Sequence, residues 1–155
     1  MKENEKMEGN FTNSKHFWRF PVYLFYLTLI FGRFAFDILF VLGFIIAAFG
    51  IFLYAKSRKE LGNYYNSSPT VFKKHKLITT GFYRYIRHPG YVGSFLAMIG
   101  FILISKSIVS LIFCLVVCIP FGFYKIRFEE RLLEKKFGKR FKEYQQNVPM
   151  VLPKL

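Results

Sequence analysis

The residues best equipped for chemistry fall in two short stretches. The first, GFYRYIRHPGYVG, runs from Gly81 to Gly93 and sets Arg84, Arg87, His88 and four aromatic rings directly ahead of a long apolar run. Pro89 excludes the right-handed helical region for His88 and itself suits the first turn of a helix. His88 is therefore expected near an N-cap, with Tyr91 and Gly93 in the opening turns that follow. Such a helix end presents unpaired backbone N–H groups and the positive end of the helix dipole, a seat for a carboxylate or phosphate. Arg84 and Arg87 add cationic donors, and Gly90 and Gly93 would let a ligand approach closely. The second stretch, KIRFEERLLEKKFG, runs from Lys125 to Gly138. On a helix, Lys125 and Glu129 are four apart and Arg127 and Glu130 three apart. Glu129 and Glu130 point about 100° apart, so at most one carboxylate is expected to face a pocket while the other is solvated. Both stretches also have a plainer reading. Basic and aromatic residues anchor helix ends at membrane interfaces, and such charge pairs are ordinary surface ion pairs worth roughly 0.3 kcal/mol.

The elements that must position these residues are apolar. Of the 155 residues, 53% are hydrophobic and 21 are phenylalanine, and they gather into blocks as in a membrane protein. After a polar tail, 1–16, in which no cleavable leader is recognisable, a single domain is expected over 17–155. Its apolar blocks are 17–32, 34–55, 90–105 and 107–124. The first is short, since about 20 apolar residues are needed to cross hydrocarbon. Ser105-Lys106-Ser107 reads as the turn of a helical hairpin, and Pro120 should bend its second arm. Between the second and third blocks lies a polar, basic stretch, 56–89. The tail from Lys125 onward has helical spacing and is stopped by Gly138, Pro149 and Pro153. The expected fold class is all-α: a polytopic membrane helical bundle of about four transmembrane helices.

Lysine and arginine number 23 against 9 acids, a net charge of +14. They flank the apolar blocks instead of lining one soluble face, which argues against nucleic acid as a partner. With four spans, the N-terminal tail, the 56–89 stretch and the C-terminal tail share one face, leaving Arg33 and Lys106 on the other. The positive-inside rule makes the shared face cytoplasmic, so the two chemical stretches meet there in an integral, multi-pass protein. Cys114 and Cys118 lie four apart within an apolar block and read as small hydrophobes; no metal site is expected.

The pattern Gly-x-Tyr-x-x-x-Arg-His-Pro-x-Tyr-x-Gly, followed by the Glu-Glu and Phe-Gly of the second stretch, resembles the isoprenylcysteine carboxyl methyltransferase family and its phospholipid-methyltransferase relatives. Similarity extends from LGNYY at Leu61 through FKEYQQNVPMVLP, which ends at Pro153. The resemblance implies an integral membrane enzyme using S-adenosyl-L-methionine, with cofactor-binding regions at 75–93 and 125–153 and a cytoplasmic C-terminal helix closing the site. It implies that His88, Tyr91 and Glu130 contact the cofactor, while His75, Leu77 and Gly81 lead into its pocket. Arg87 would orient the acceptor's acidic group, with Arg127 and Glu130 as the other catalytic candidates. Where the family often carries Arg-x-Arg, this chain has Lys125 and Arg127, and lysine offers a point charge instead of a bidentate fork. The implied function is carboxyl O-methylation of an isoprenylcysteine-like or other lipidic or prenylated acceptor that enters from among membrane lipids. A carboxylate acceptor is already ionised at neutral pH and requires no base. An amine must lose a proton, so phospholipid N-methylation would call on His88 or a glutamate. Two rival readings belong to different classes: an NADPH-dependent, sterol-reductase-like protein and a noncatalytic membrane subunit.

Overall fold

A computed structural model describes residues 17–66 and 76–151, and every regular element among them is helical. The polar tail 1–16, residues 67–75 with His75, and residues 152–155 with Pro153 lie outside the described residues. Helix α1 covers Phe20–Thr28 and tightens into a 3-10 turn at Leu29–Phe31, so the first apolar block is helical over a shorter stretch than 17–32. Helix α2, Ile38–Leu61, starts later and ends later than the block 34–55. Asp37 sets the start, its carboxylate accepting from the Phe40 N–H at 3.1 Å. Good helix formers carry it past Ala55, Arg58 and Lys59 favour its C-terminal dipole, and Gly62 at φ +53° stops it.

Helix α3, Pro89–Ser105, turns through Lys106 in the left-handed region into α4, Ile108–Phe113. A π turn over Cys114–Cys118 joins α4 to α5, Ile119–Phe137, and Gly138 separates α5 from α6, Lys139–Asn147. The π turn directly precedes Pro120, whose missing N–H already interrupts the ladder there. Among the described residues, 38–64 and 108–137 are long and apolar enough to cross a membrane, whereas α1 with its 3-10 turn and α3 are shorter apolar helices.

The tightest packing joins α2 to α3. Each carries the spacing Gly-x3-Ala-x2-Gly, as Gly43, Ala47, Gly50 and Gly93, Ala97, Gly100. Run antiparallel, the two sets interleave. A Cβ on Gly93 would stand 2.6 Å from the Tyr54 nitrogen and 2.7 Å from the Gly50 carbonyl oxygen. Gly93 therefore serves helix contact, not the ligand approach that its place beside His-Pro suggests. Beside this pair, Phe25, Met98, Cys114 and Cys118 form a buried cluster, in keeping with both cysteines as small hydrophobes. At one end of the bundle the Lys106 ammonium donates to Asp37 at 2.6 Å and the Arg33 N–H to the Ser105 carbonyl at 2.7 Å. The other end gathers the 76–88 loop, the charged half of α5 and α6.

Candidate active site

The loop before α3 is held from both sides. Gly81 sits at φ +62°, and any Cβ there would collide with the Glu60 carboxylate. That carboxylate accepts the Phe82 N–H at 3.1 Å. A 3-10 turn, Gly81–Arg84, then buries Tyr83, whose carbonyl accepts the Tyr144 hydroxyl at 2.5 Å. Burial, reinforced by Glu129, pushes the Tyr83 hydroxyl far above its ordinary pKa. Burial pushes Tyr144 up to about 12 against an opposing pull from Arg87. Both hydroxyls thus remain protonated donors at neutral pH. Tyr144→Phe removes the bond from α6 to the loop and is expected to cost about 1 kcal/mol, read as a lower thermal transition in detergent.

His88 occupies the N-cap of α3 with Pro89 at N1, as the Arg-His-Pro order predicts. The free amides expected at this helix end are largely used: the Tyr91 and Val92 N–H groups both donate to the His88 carbonyl, at 3.1 and 3.2 Å. Arg87 is committed to the C-terminal segment. Its Nε donates to Glu130 Oε1 at 2.8 Å, and Nη1 to the carbonyls of Gln145 at 2.9 Å and Val148 at 2.7 Å. The Arg87 and His88 backbone N–H groups donate to the Pro149 and Met150 carbonyls at 2.9 and 3.2 Å. His88 Nε2 lies 3.2 Å from the same Glu130 oxygen. Both members of the Arg87–Glu130 pair are buried, with side chains 9% and 8% exposed. Residues 144–150 are in effect strapped across the Arg-His-Pro loop.

Glu129 is also engaged: its Oε1 accepts the Tyr91 hydroxyl at 2.6 Å. The expectation that one of the two glutamates is simply solvated is therefore corrected. Tyr91 and Arg87 come from the α3 and loop side, and each takes one of two carboxylates that stand about 100° apart around α5. Lys125 joins this group, its Nζ 5.5 Å from the Tyr91 ring centre and 6.0 Å from that of Trp18.

These side chains border a cavity of about 470 Å³ enclosed by α1, α2, α3 and α5. Among the residues given a cofactor or catalytic role by the resemblance, Arg87, His88 and Tyr91 line it, as does Gly90 between them. Glu130 lies behind Arg87 and His88. Arg127 is exposed and does not line the cavity; two positions on from Lys125, it points about 200° round the helix. Leu77 is half-buried beside Ile78, which does reach the cavity, and Gly81 borders a separate shallow recess with Lys56, Glu60 and Arg84. Sequence reasoning passed over Glu129 and Lys125 as cavity residues, together with Arg19, Arg58, Tyr54 and Tyr65. For α5 a signal was present: Lys125, Glu129, Leu132 and Leu133 share one helical face, and all four line the cavity. The lower wall is apolar, with Ile51, Phe95, Met98 and Cys118, and the upper wall is aromatic and basic.

Comparison with known proteins agrees with this arrangement. A family profile described as phospholipid methyltransferase matches residues 38–140. The chain is 36% identical over 81 residues to the protein-S-isoprenylcysteine O-methyltransferase of Schizosaccharomyces pombe, covering 52% of this chain and 34% of that one. It is 32% identical over 115 residues to the enzyme of that name from Xenopus laevis, covering 73% of this chain and 40% of the other. It thus spans well under half the length of these curated relatives. The fold is similar to a solved structure of the eukaryotic intramembrane Ras methyltransferase, isoprenylcysteine carboxyl methyltransferase, with a TM-score of 0.73, 24% identity, and coverage of 93% of this chain and 54% of that one. With the Arg-His-Pro loop, the paired glutamates and the profile match all falling on the same helices, the chain belongs to the phospholipid methyltransferase family of integral membrane proteins.

Proposed function

We propose that this chain is an S-adenosyl-L-methionine-dependent membrane methyltransferase that O-methylates a carboxylate on an isoprenylcysteine-like or other hydrophobic acceptor. The observation that carries the reading is the cavity itself, which joins an aromatic and basic end to an apolar wall. Its volume of about 470 Å³ falls within the range of small-molecule sites. The lining fits the cofactor: the rings of Tyr54 and Tyr83 suit a sulfonium, and Glu129 is the one carboxylate among the described lining residues. The bound cofactor would supply an electrophilic methyl group for in-line displacement. His88 and Tyr91 border its place, Glu130 acts on it through Arg87 and the His88 ring, and Leu77 belongs to the approach beside Ile78. Along the cavity, Arg19, Arg58 and Lys125 outnumber Glu129, favouring an acidic acceptor head over an amine. These residues hold and aim the acceptor's oxygen, and the surrounding rings exclude water.

The topology that goes with this reading has α1, α2, α3 and α4–α5 as four crossings, the site at the cytoplasmic face, and α5 with α6 closing it. Lysine and arginine density supports that orientation. A second reading, phospholipid N-methylation, is favoured by one observation: Glu129, beside the Tyr91 ring, would attract an ammonium.

Calorimetric titration of the full chain in detergent should show binding of S-adenosylmethionine and S-adenosylhomocysteine and none of NADPH; NADPH alone binding would replace the methyltransferase reading with a reductase. Radiolabelled methyl transfer is expected into a prenylated cysteine analogue and not into phosphatidylethanolamine. Lys125→Ala should raise KM for the acidic acceptor by about tenfold while leaving cofactor affinity nearly unchanged. An unchanged KM would remove Lys125 from the acceptor site.

A further inference from the structure

Arg127, Arg131 and Lys135 recur every fourth residue on α5 and are all exposed. Among the described residues none of the three has a hydrogen-bond or ion-pair partner. The acids of the same helix do not offset them. Glu129 is taken by Tyr91, Glu130 by Arg87 and His88, and Glu134 by Lys142 at 3.2 Å. The three cations therefore form an uncompensated stripe on the side of α5 away from Lys125 and Glu129.

That stripe continues an apolar one. Lower on the same continuous helix the exposed residues are hydrophobic and aromatic: Val116 is 67% exposed, Phe123 42% and Tyr124 50%. The change from apolar to cationic comes within one turn. At 1.5 Å per residue, Arg127 lies about 4.5 Å beyond Tyr124, Arg131 about 10 Å and Lys135 about 16 Å. A headgroup layer is about 5–7 Å deep on each side of the hydrocarbon. Helical Cβ atoms tilt toward the N-terminus, here back toward the apolar segment, so the long side chain of Arg131 reaches into that layer as well as Arg127. Lys135 lies within the screened reach of a charged surface.

We infer that this face of α5 is a docking strip for anionic lipid headgroups, with Arg127 and Arg131 in direct contact and Lys135 adding long-range attraction. The partner is the phosphate-bearing, net-negative headgroup of a phospholipid in the same membrane. Charge complementarity and continuity with the apolar face select it over a soluble partner. The inference rests on 108–124 crossing the bilayer and not on methyl transfer.

Trp18 is the single tryptophan, and it packs on this part of α5, its ring 6.2 Å from Tyr124 and 5.9 Å from Phe128. The Trp18 ring is 3% exposed, but Tyr124 stacked against it is 50% exposed, so a brominated chain lying on Tyr124 is one ring's thickness away and Trp18 fluorescence reports which lipids sit beside the strip. The full chain is placed in phosphatidylcholine nanodiscs doped with brominated phosphatidylglycerol or, at equal fraction, brominated phosphatidylcholine. Local enrichment of the anionic lipid by about tenfold is expected, declining as salt is raised. The triple variant R127Q/R131Q/K135Q should abolish the enrichment and leave the helical circular dichroism unchanged. The variant K59Q/R84Q, which removes two other exposed cations, should retain most of it. Equal quenching by both lipids in the wild type would overturn the inference, as would equal loss in the two variants. Quenching by neither lipid would also overturn it, by taking this end of the helix away from the bilayer.

Discussion

Glu130→Ala is expected to release the C-terminal segment and destabilise the protein by about 3–5 kcal/mol, the usual cost of leaving half of a buried ion pair without its partner. Arg87 would keep its bonds to the Gln145 and Val148 carbonyls but lose the carboxylate that receives Nε. The measurable result is a large fall in the thermal transition together with rapid proteolysis near α6. Pairing Glu130→Leu with Arg87→Met should recover part of the loss, because an apolar pair replaces a buried ionic one at little cost. Recovery should stop short of wild type, since the two carbonyls are left without a donor. A single Glu130→Ala variant as stable and protease-resistant as wild type would show that the strap is held by the backbone bonds to Pro149 and Met150 alone.

Gly93→Leu should be worse still, and more simply so. The added side chain must enter where the Tyr54 and Gly50 backbones already lie under 3 Å from a Cβ position. No rotamer avoids backbone atoms that cannot move without separating α2 from α3. Failure to yield a monodisperse, helical species in detergent is the expected outcome, with the same for Gly50→Leu. Gly90→Ala is the contrast: the nearest atom to a Cβ there is the Ser57 Cβ at 3.8 Å. That variant should fold with a thermal transition within a few degrees of wild type. If Gly93→Leu behaved like Gly90→Ala, the interleaved packing of α2 and α3 would be wrong.

The chemical consequence of both predictions is shared. The cavity wall is made by Tyr91 and Gly90 on α3, Tyr54 and Ser57 on α2, and Lys125 and Glu129 on α5. Moving α3 against α2, or freeing the strap that presses the Arg-His-Pro loop onto α5, displaces these groups together. Under the function proposed above, methyl transfer should therefore be lost in both variants, but through a collapsed site and not through loss of a group that touches the reactants.

Much of the architecture was legible in the residues. Apolar runs bounded by Gly, Pro and charge announce the helices, and Pro89 dictates both where α3 begins and why His88 caps it. The basic loops around the apolar blocks, together with the family resemblance, predict that two distant stretches meet, and the Arg87–Glu130 contact brings them together. Errors at helix ends have local causes. Asp37 delays α2 by capping it, and Lys56–Leu61 prolong it because charged residues with high helix propensity continue a helix once it has left an apolar layer.

What the linear chain by itself determined, then, is the set of helices and their polar ends, because these depend on local propensity and on periodicity along one run of residues. Only the tertiary structure decided the phase of each helix against its neighbours. It turned Lys125 and Glu129 toward the cavity and Arg127 away, set Glu130 behind Arg87, and committed Gly93 to the contact with α2. Helical period relates a residue to its own axis; which side of that axis meets another helix is settled by close packing among all of them at once.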